Sequence, residues 1–215
     1  MAFYISGIKS LFKSTCGSQS LGSVSGFASR IGHASVLPTF LACLMSIFHV
    51  ADAQVAQSLL GYRDGVSFWV DVPLGWSSDA TASNRLGSIF MLLPAGHTFD
   101  SAPYVIYSNM IAGSTLQAAM DSDAREFRAN DTNLIVSDRT GFKSKSGETF
   151  KLREFKSVKL RQQGYEAIAY LPRDNNVLLF VFSAQSDSQY AKGLPIFLRF
   201  LTTYSSSALK VRVEK

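Results

Sequence analysis

Cysteine and histidine are scarce in this sequence, and most of them lie near its start. The 215 residues include two cysteines and three histidines. Both cysteines, Cys16 and Cys43, precede Ala53, and His97 is the one histidine that follows it. The chain beyond Ala53 therefore has no thiol for a disulfide, a nucleophile or a metal ligand. This excludes thiol catalysis and cysteine-ligated metals from the main part of the chain.

Charge is also sparse. Charged residues make up 17% of the sequence, against about 25% in an ordinary globular protein. The net charge of +5 is modest and is spread along the chain. With 47% hydrophobic residues, the composition excludes a disordered or coiled-coil chain and gives no electrostatic case for binding nucleic acid. The length suits one globular domain.

The first 51 residues contain no acidic side chain, and an apolar run, VLPTFLACLMSIFHV, occupies positions 36–50. Small residues at Ala51 and Ala53 follow it, as signal peptidase requires at its −3 and −1 positions. The run is shorter than the ~20 residues that span a bilayer. The pattern predicts an export signal that is cleaved between Ala53 and Gln54, so that the membrane is met only transiently. It favours a periplasmic or secreted location.

Two alternatives stay open for this segment. The stretch before the apolar run is long and rich in serine, which is also typical of a two-part presequence that directs a protein to an organelle lumen. Leu41-Ala42-Cys43 resembles the end of a lipobox, so Cys43 could carry a lipid in an envelope lipoprotein. The apolar run continues beyond Cys43, which favours a signal that is still in progress there.

Beyond residue 64, alternation and β-branched or aromatic residues predict seven strands. The predicted strands are 66–72, 88–93, 104–111, 134–137, 149–158, 165–171 and 177–184. Pro73 and Gly75 end the first strand, and 172–176 has the composition of a hairpin turn. The last strand is apolar on both faces, which predicts a central position in a sheet that is covered on both sides.

Two amphipathic helices are predicted. The first runs from 115 to about 129, with Ser114 as its N-cap and an apolar stripe that begins at Leu116. Asp121, Asp123 and Glu126 are assigned to its solvated face. The second helix has an apolar stripe between residues 190 and 204, and because Pro195 lies inside it, a break is predicted at Gly193.

Short turns between most strands favour antiparallel pairing. The sequence predicts an α+β fold, in which one antiparallel sheet has helices packed on it. The predicted organisation is a cleaved signal or presequence at 1–53, a lead-in at 54–64, a single domain at 65–204 and a polar tail at 205–215. Leu209, Val211 and Val213 alternate in that tail, so it could also add an edge strand.

The stretch VSFWVDVPLGW at 66–76 and the hairpin YEAIAYLPRDNNVLLFVFSA at 165–184 resemble PsbP-like and Mog-type domains. The order of a helix after the third strand and a closing helix after the hairpin also fits. The resemblance covers about residues 65–204, and it implies an α/β/α sandwich around an antiparallel sheet. Relatives of these types are mostly non-enzymatic binding or assembly modules. Neither a long metal-binding extension nor an acidic partner surface of those types is recognisable here, so the resemblance bears on fold more than on role.

A catalytic constellation is not recognisable. His97 lies in the turn Pro94-Ala95-Gly96-His97, and a triad would need it beside an activated serine. A G-x-S-x-G motif does not follow any strand beyond Ala53. The sequence therefore predicts a protein that is not an enzyme and holds no cofactor and no metal. A small hydrolase that uses His97 remains the alternative.

The candidate contact residues are basic and aromatic. Lys151, Arg153 and Lys156 belong to the densest basic stretch, which could attract an acidic partner, an anionic lipid or a glycan. The favoured interpretation is that these lysines protect an edge hairpin against aggregation. Trp69 is either part of the core or an exposed aromatic contact, depending on whether both sheet faces are covered. The leading hypothesis is an exported, non-catalytic binding or accessory domain that contacts a protein partner or an envelope surface.

Overall fold

The computed structural model describes residues 57–157 and 164–206. They form ten strands: β1 (Ser58–Arg63), β2 (Val66–Asp71), β3 (Trp76–Ser78), β4 (Phe90–Pro94), β5 (Tyr104–Ala112), β6 (Ile135–Lys143), β7 (Thr149–Lys156), β8 (Tyr165–Arg173), β9 (Asn176–Ala184) and β10 (Ser205–Ser206). The helices in the same ranges are α1 (Ala80–Leu86), α2 (Leu116–Asn130) and α3 (Asp187–Thr202). None of these helices is long and apolar enough to cross a membrane.

The strands form two antiparallel sheets. Seven strands pair in the order β3-β4-β5-β9-β8-β7-β6, and three pair in the order β1-β2-β10. The α+β class is confirmed, but the prediction of a single sheet is wrong. Alternation in 66–71 shows that β2 is half-buried, and it does not show which strand is its neighbour. The partner is β1, which lies in the stretch 54–64 that was predicted to be a lead-in.

β9 has the predicted central place, with β5 on one side and β8 on the other. Its side chains alternate between two hydrophobic cores. Leu178, Phe180 and Phe182 face α3 and the three-stranded sheet. Leu179 and Val181 face α1 and α2. The seven-stranded sheet is thus covered on both faces.

α2 has the predicted apolar stripe, and Phe127 stacks on Phe155 of β7 with ring centroids 4.2 Å apart. Its N-cap is Thr115, whose hydroxyl accepts a hydrogen bond from the Ala118 N–H at 3.2 Å, so the predicted Ser114 is wrong by one residue. Both residue types cap helices well, and the choice depends on backbone geometry that the sequence does not show.

α3 is continuous through Pro195, so the predicted break at Gly193 is wrong. Gly193 is buried against the ring of Phe182, and a Cβ there would overlap that ring. The glycine allows close helix–sheet packing and does not end the helix. Pro195 is exposed, so the carbonyl that loses its backbone partner faces solvent.

Sequence reasoning missed the short elements. Asp79 caps α1 by accepting a hydrogen bond from the Ala82 N–H at 2.8 Å, and Gly87 ends it in the left-handed region. β6 is longer than predicted and has a register shift between Arg139 and Phe142. The predicted strand in 207–215 lies outside the described residues.

Candidate functional site

The β1–β2 hairpin is the most distinctive surface of the described chain. Asp64 and Gly65 form its two-residue turn with φ values of 47° and 84°, the positive pair that matches the twist of a hairpin. Leu60 lies opposite Trp69, and Tyr62 lies opposite Ser67. Because opposite residues project to the same side of a sheet, one face of the hairpin carries Leu60, Tyr62 and Trp69.

We call this face the outer face, defined by Leu60, Tyr62 and Trp69. The exposed fractions of these residues are 42%, 46% and 39%. Leu74 and Ile135 are the other large apolar residues that are exposed in the described chain. Leu74 lies in the turn after β2, and Ile135 lies on β6 of the larger sheet. Three neighbouring exposed apolar side chains on one regular surface are typical of a contact site.

The opposite side of the hairpin fixes it to the core. Phe68 is fully buried, and its ring packs edge-on against Phe180 at 5.3 Å between centroids and stacks on Tyr204 at 5.6 Å. Gly61 lies opposite Phe68, and a Cβ there would overlap the Phe68 ring. The glycine therefore lets β1 lie flat across this ring.

Polar bonds hold the two ends of the hairpin. The Arg63 guanidinium donates to the Gly87 carbonyl at 2.6 Å and to the Asn109 side-chain oxygen at 2.8 Å. At the other end, the Asp71 N–H donates to the Thr203 hydroxyl at 2.9 Å. The outer face therefore sits on a rigid support.

The structure decides between the two alternatives for Trp69. Its side chain is not in the core, because helix α3 covers the other side of β2. A contact role for Trp69 stays a prediction. Trp76, which follows the first predicted strand, is partly buried and stacks on Tyr104 with ring centroids 5.5 Å apart.

The three basic candidates are not brought together. Lys151 and Arg153 lie on the α2 side of β7, whereas Lys156 lies on the α3 side. The Arg153 guanidinium donates to both Asp138 carboxylate oxygens at 2.6 and 3.0 Å and to the Met120 carbonyl at 3.0 Å. This bidentate pair lowers the pKa of Asp138. The edge strand here is β6, whereas β7, which carries the three cations, pairs with both β6 and β8.

Lys156 belongs to a network on the α3 side that centres on Glu154. The Tyr190 hydroxyl donates to Glu154 at 2.7 Å, and Arg139 forms an ion pair with the same carboxylate. The Lys156 ammonium lies 4.0 Å from Glu154 and 5.0 Å from the centre of the Tyr190 ring. Burial, followed by the bond to Glu154, raises the pKa of Tyr190. The network joins α3 to the sheet.

A second buried pair lies on the α2 side, and sequence reasoning missed it. Asp123 was assigned to the solvated face of α2, and this is wrong, because it is buried and accepts a hydrogen bond from Tyr170 at 2.7 Å. Asp123 follows Met120 by three residues and precedes Phe127 by four, so it falls on the apolar stripe itself. That spacing was the available signal.

Carboxylates concentrate around this pair. Burial, followed by the charge of Asp123, raises the pKa of Tyr170. Burial, followed by the charges of Glu166, Asp123 and Glu126, raises the pKa of Tyr107. Both phenols therefore stay protonated at ordinary pH. Among the described residues, no group of three or more His, Asp or Glu side chains is placed to hold a metal ion.

His97 is exposed in the turn after β4, where its backbone N–H donates to the Pro94 carbonyl at 3.2 Å. Within 57–157 and 164–206, its imidazole has no hydrogen bond to a carboxylate or hydroxyl of the kind that a hydrolase needs. The predicted cleavage residues Ala51, Ala53 and Gln54 lie outside the described residues, as does Cys43.

The sequence matches no protein-family model. It also matches no curated protein.

The solved structures that match this chain include those of the two proteins that follow. Cyanobacterial PsbP (CyanoP) from Synechocystis sp. PCC 6803 is 11% identical, with a TM-score of 0.46, and the match covers 73% of this chain and 96% of that one. The Ran-binding protein Mog1p from Saccharomyces cerevisiae is 9% identical, with a TM-score of 0.44, and the match covers 70% and 94%. These two proteins represent the PsbP-like and Mog-type domains that the sequence resembles.

Proposed function

We propose that this protein is a non-enzymatic binding or accessory domain that docks on a partner protein through its outer face. The observation that carries the proposal is the adjacent exposure of Leu60, Tyr62 and Trp69 on a hairpin that is anchored from behind. Aromatic side chains are enriched at the centres of protein interfaces because they bury a large area with little loss of entropy. A rigid support lowers the cost of binding further.

Site-specific photo-crosslinking in living cells tests this proposal. A photoreactive amino acid at Tyr62 is expected to give a discrete adduct with one protein, and Trp69→Ser should abolish that adduct. The matched control carries the same group at Ile135, which is also an exposed apolar strand residue, at 56% exposure. No adduct at Tyr62, or the same adducts at both positions, would contradict the proposal.

We also propose that the protein works outside the cytoplasm, in the periplasm, in the medium or in an organelle lumen. The support is the acid-free segment with its apolar run and its Ala51 and Ala53 cleavage pattern. N-terminal sequencing of the protein from its own cells should start at Gln54. A start at an acylated Cys43 would identify an envelope lipoprotein, and an intact N-terminus would contradict cleavage. For the hydrolase alternative, no observation at His97 offers support.

A further inference from the structure

β1, β3 and β6 are edge strands whose ends lie within the described residues, and two of them are poor templates for pairing. β3 has three residues. β6 has a register shift after Arg139 and carries exposed Arg139 and Lys143. Short strands, bulges and cations are the devices that block an edge. β1 has none of them, since its six residues pair with β2 without a register shift and carry no charge before Arg63.

The hydrogen bonds of the hairpin show which backbone groups face the free edge of β1. The Val72 N–H donates to the Gln57 carbonyl at 2.8 Å. Backbone groups alternate along an antiparallel pair, so every second residue after Gln57 also points toward β2. The residues between them point their N–H and C=O groups away from β2, and these are Ser58, Leu60 and Tyr62. All three are exposed.

These groups define what the edge can bind. A row of alternating donors and acceptors is matched by another extended backbone. Two of the residues with free backbone groups, Leu60 and Tyr62, also contribute their side chains to the outer face. Every second side chain of an added strand would therefore lie beside the outer face. Acidic residues flank the edge, with Asp64 exposed in the turn and Asp71 at the far end accepting a hydrogen bond from Ser58 at 2.8 Å.

We infer that the partner adds an extended segment to β1 as a fourth strand of the smaller sheet. The segment has apolar residues at alternate positions and Lys or Arg at its ends, which complement Asp64 and Asp71. This inference rests on the proposed function, because it specifies how the partner of the outer face binds. The backbone bonds supply affinity, and the outer face selects the side chains.

A synthetic peptide tests the inference on the purified protein. The probe is acetyl-KVTVTVK-amide, and the readouts are its affinity and the hydrogen exchange of the Leu60 and Tyr62 amides. Binding should slow the exchange of both amides. Leu60→Pro loses both the side chain and an edge N–H, so it should bind at least ~10-fold more weakly than the matched Leu60→Ser, which loses the side chain but keeps that N–H. The probe with glutamate at both ends should bind ~10-fold more weakly.

Several outcomes would overturn the inference. The peptide could fail to bind at ~1 mM, or it could bind without slowing the exchange of the Leu60 and Tyr62 amides. The Leu60→Pro variant could also bind the peptide as tightly as the parent protein does. Tyr62→Pro replaces Leu60→Pro if the latter fails to fold. Amides that are already protected in the free protein would show another occupant. That occupant is a second copy if protection grows with concentration, and residues 207–215 if their deletion removes it.

The two proposals fail in different ways. If the crosslink at Tyr62 still depends on Trp69 while Leu60→Pro leaves peptide binding unchanged, the outer face is a docking site but the inference of strand addition is wrong. If the Tyr62 adduct is absent from cells, the proposed function itself is wrong. The crosslinking result does not depend on the choice of peptide.

Discussion

On each face of the larger sheet, a buried tyrosine hydroxyl donates to a buried carboxylate, and the surroundings of the two carboxylates differ. On the α3 side, Glu154 accepts from Tyr190 and also pairs with Arg139. On the α2 side, Asp123 accepts from Tyr170 in a region where further carboxylates raise tyrosine pKa values. A buried carboxylate is stable when a cation or enough donors satisfy it. The pair on the α3 side therefore includes a cation, and the pair on the α2 side includes the Tyr170 hydroxyl among the contacts of Asp123.

The two sides also differ in packing. The α3 side is filled by interlocking rings, in which Phe180 contacts Phe68, Phe150 and Phe200 at centroid distances of 5.3 to 6.0 Å. The α2 side is built mainly of aliphatic side chains. Rings of fixed shape adapt less to a change of volume than flexible aliphatic chains do. The comparison predicts that the α3 side tolerates substitution less well.

The largest expected effect is that of truncating Phe180. The ring is fully buried, so Phe180→Ala should lower the free energy of unfolding by about 4 kcal/mol. Its neighbour Leu179 faces the α2 side, and Leu179→Ala should cost about 3 kcal/mol. Urea denaturation of both variants measures the difference. A larger loss for Leu179→Ala would reverse the comparison.

A methyl group added at Gly193 tests the close packing on the α3 side directly. In an exposed helix this change would stabilise the protein by about 1 kcal/mol. Here the new Cβ would overlap the Phe182 ring, so Gly193→Ala should destabilise by about 2 kcal/mol. The double variant with Phe182→Leu should recover part of the loss. Thermal unfolding measures both, and stabilisation by Gly193→Ala alone would show that the helix can move away.

Removing one hydroxyl from each buried pair sharpens the electrostatic difference. Tyr170→Phe removes a donor to Asp123 and should cost about 1.5 kcal/mol. Tyr190→Phe should cost about 0.5 kcal/mol, because Glu154 keeps its ion pair with Arg139. Denaturation of the two variants at neutral pH compares them. Equal losses would mean that the cation adds nothing to the α3 side.

A further effect is a loss of stability in acid at the rim of the α3 side. Burial opposes the charge of Glu148, but hydrogen bonds from Ser146, Ser144 and its own backbone outweigh it and lower the pKa from 4.5 to about 2. A carboxyl with a lowered pKa stabilises the fold above its unfolded value. That contribution should fade as the pH falls from about 4.5 to about 2. Glu148→Gln should weaken the dependence of the free energy of unfolding on pH, as measured by denaturation at several pH values. An unchanged pH dependence would mean that another group causes it.

The sequence predicted the elements that are long and periodic. The strand from 177 to 184 was correctly placed in the centre of a sheet, because a run that is apolar on both faces has few other positions. The stripe of α2 was equally clear. β1 was missed because Ser58–Arg63 alternates weakly, and its inner face includes Gly61, whose role depends on Phe68 across the strand.

The candidate site was harder to predict. Trp69 was named as a candidate, but it is exposed because β2 belongs to the smaller sheet, and the sequence does not show this tertiary arrangement. Leu60 and Tyr62 gave no signal, because their strand was not recognised. The basic residues were grouped by sequence proximity, although alternation places Lys156 on the opposite face from Lys151. Alternation alone would have separated these two.

Tyr204 lies where the two sheets meet, with its ring 5.6 Å from Phe68, 5.5 Å from Phe150 and 5.6 Å from Phe180. The core on this side therefore joins residues from near both ends of the described chain. On a ribosome, this part of the core cannot close until Tyr204 has emerged, so the hairpin that is made first waits for a segment that is made more than a hundred residues later.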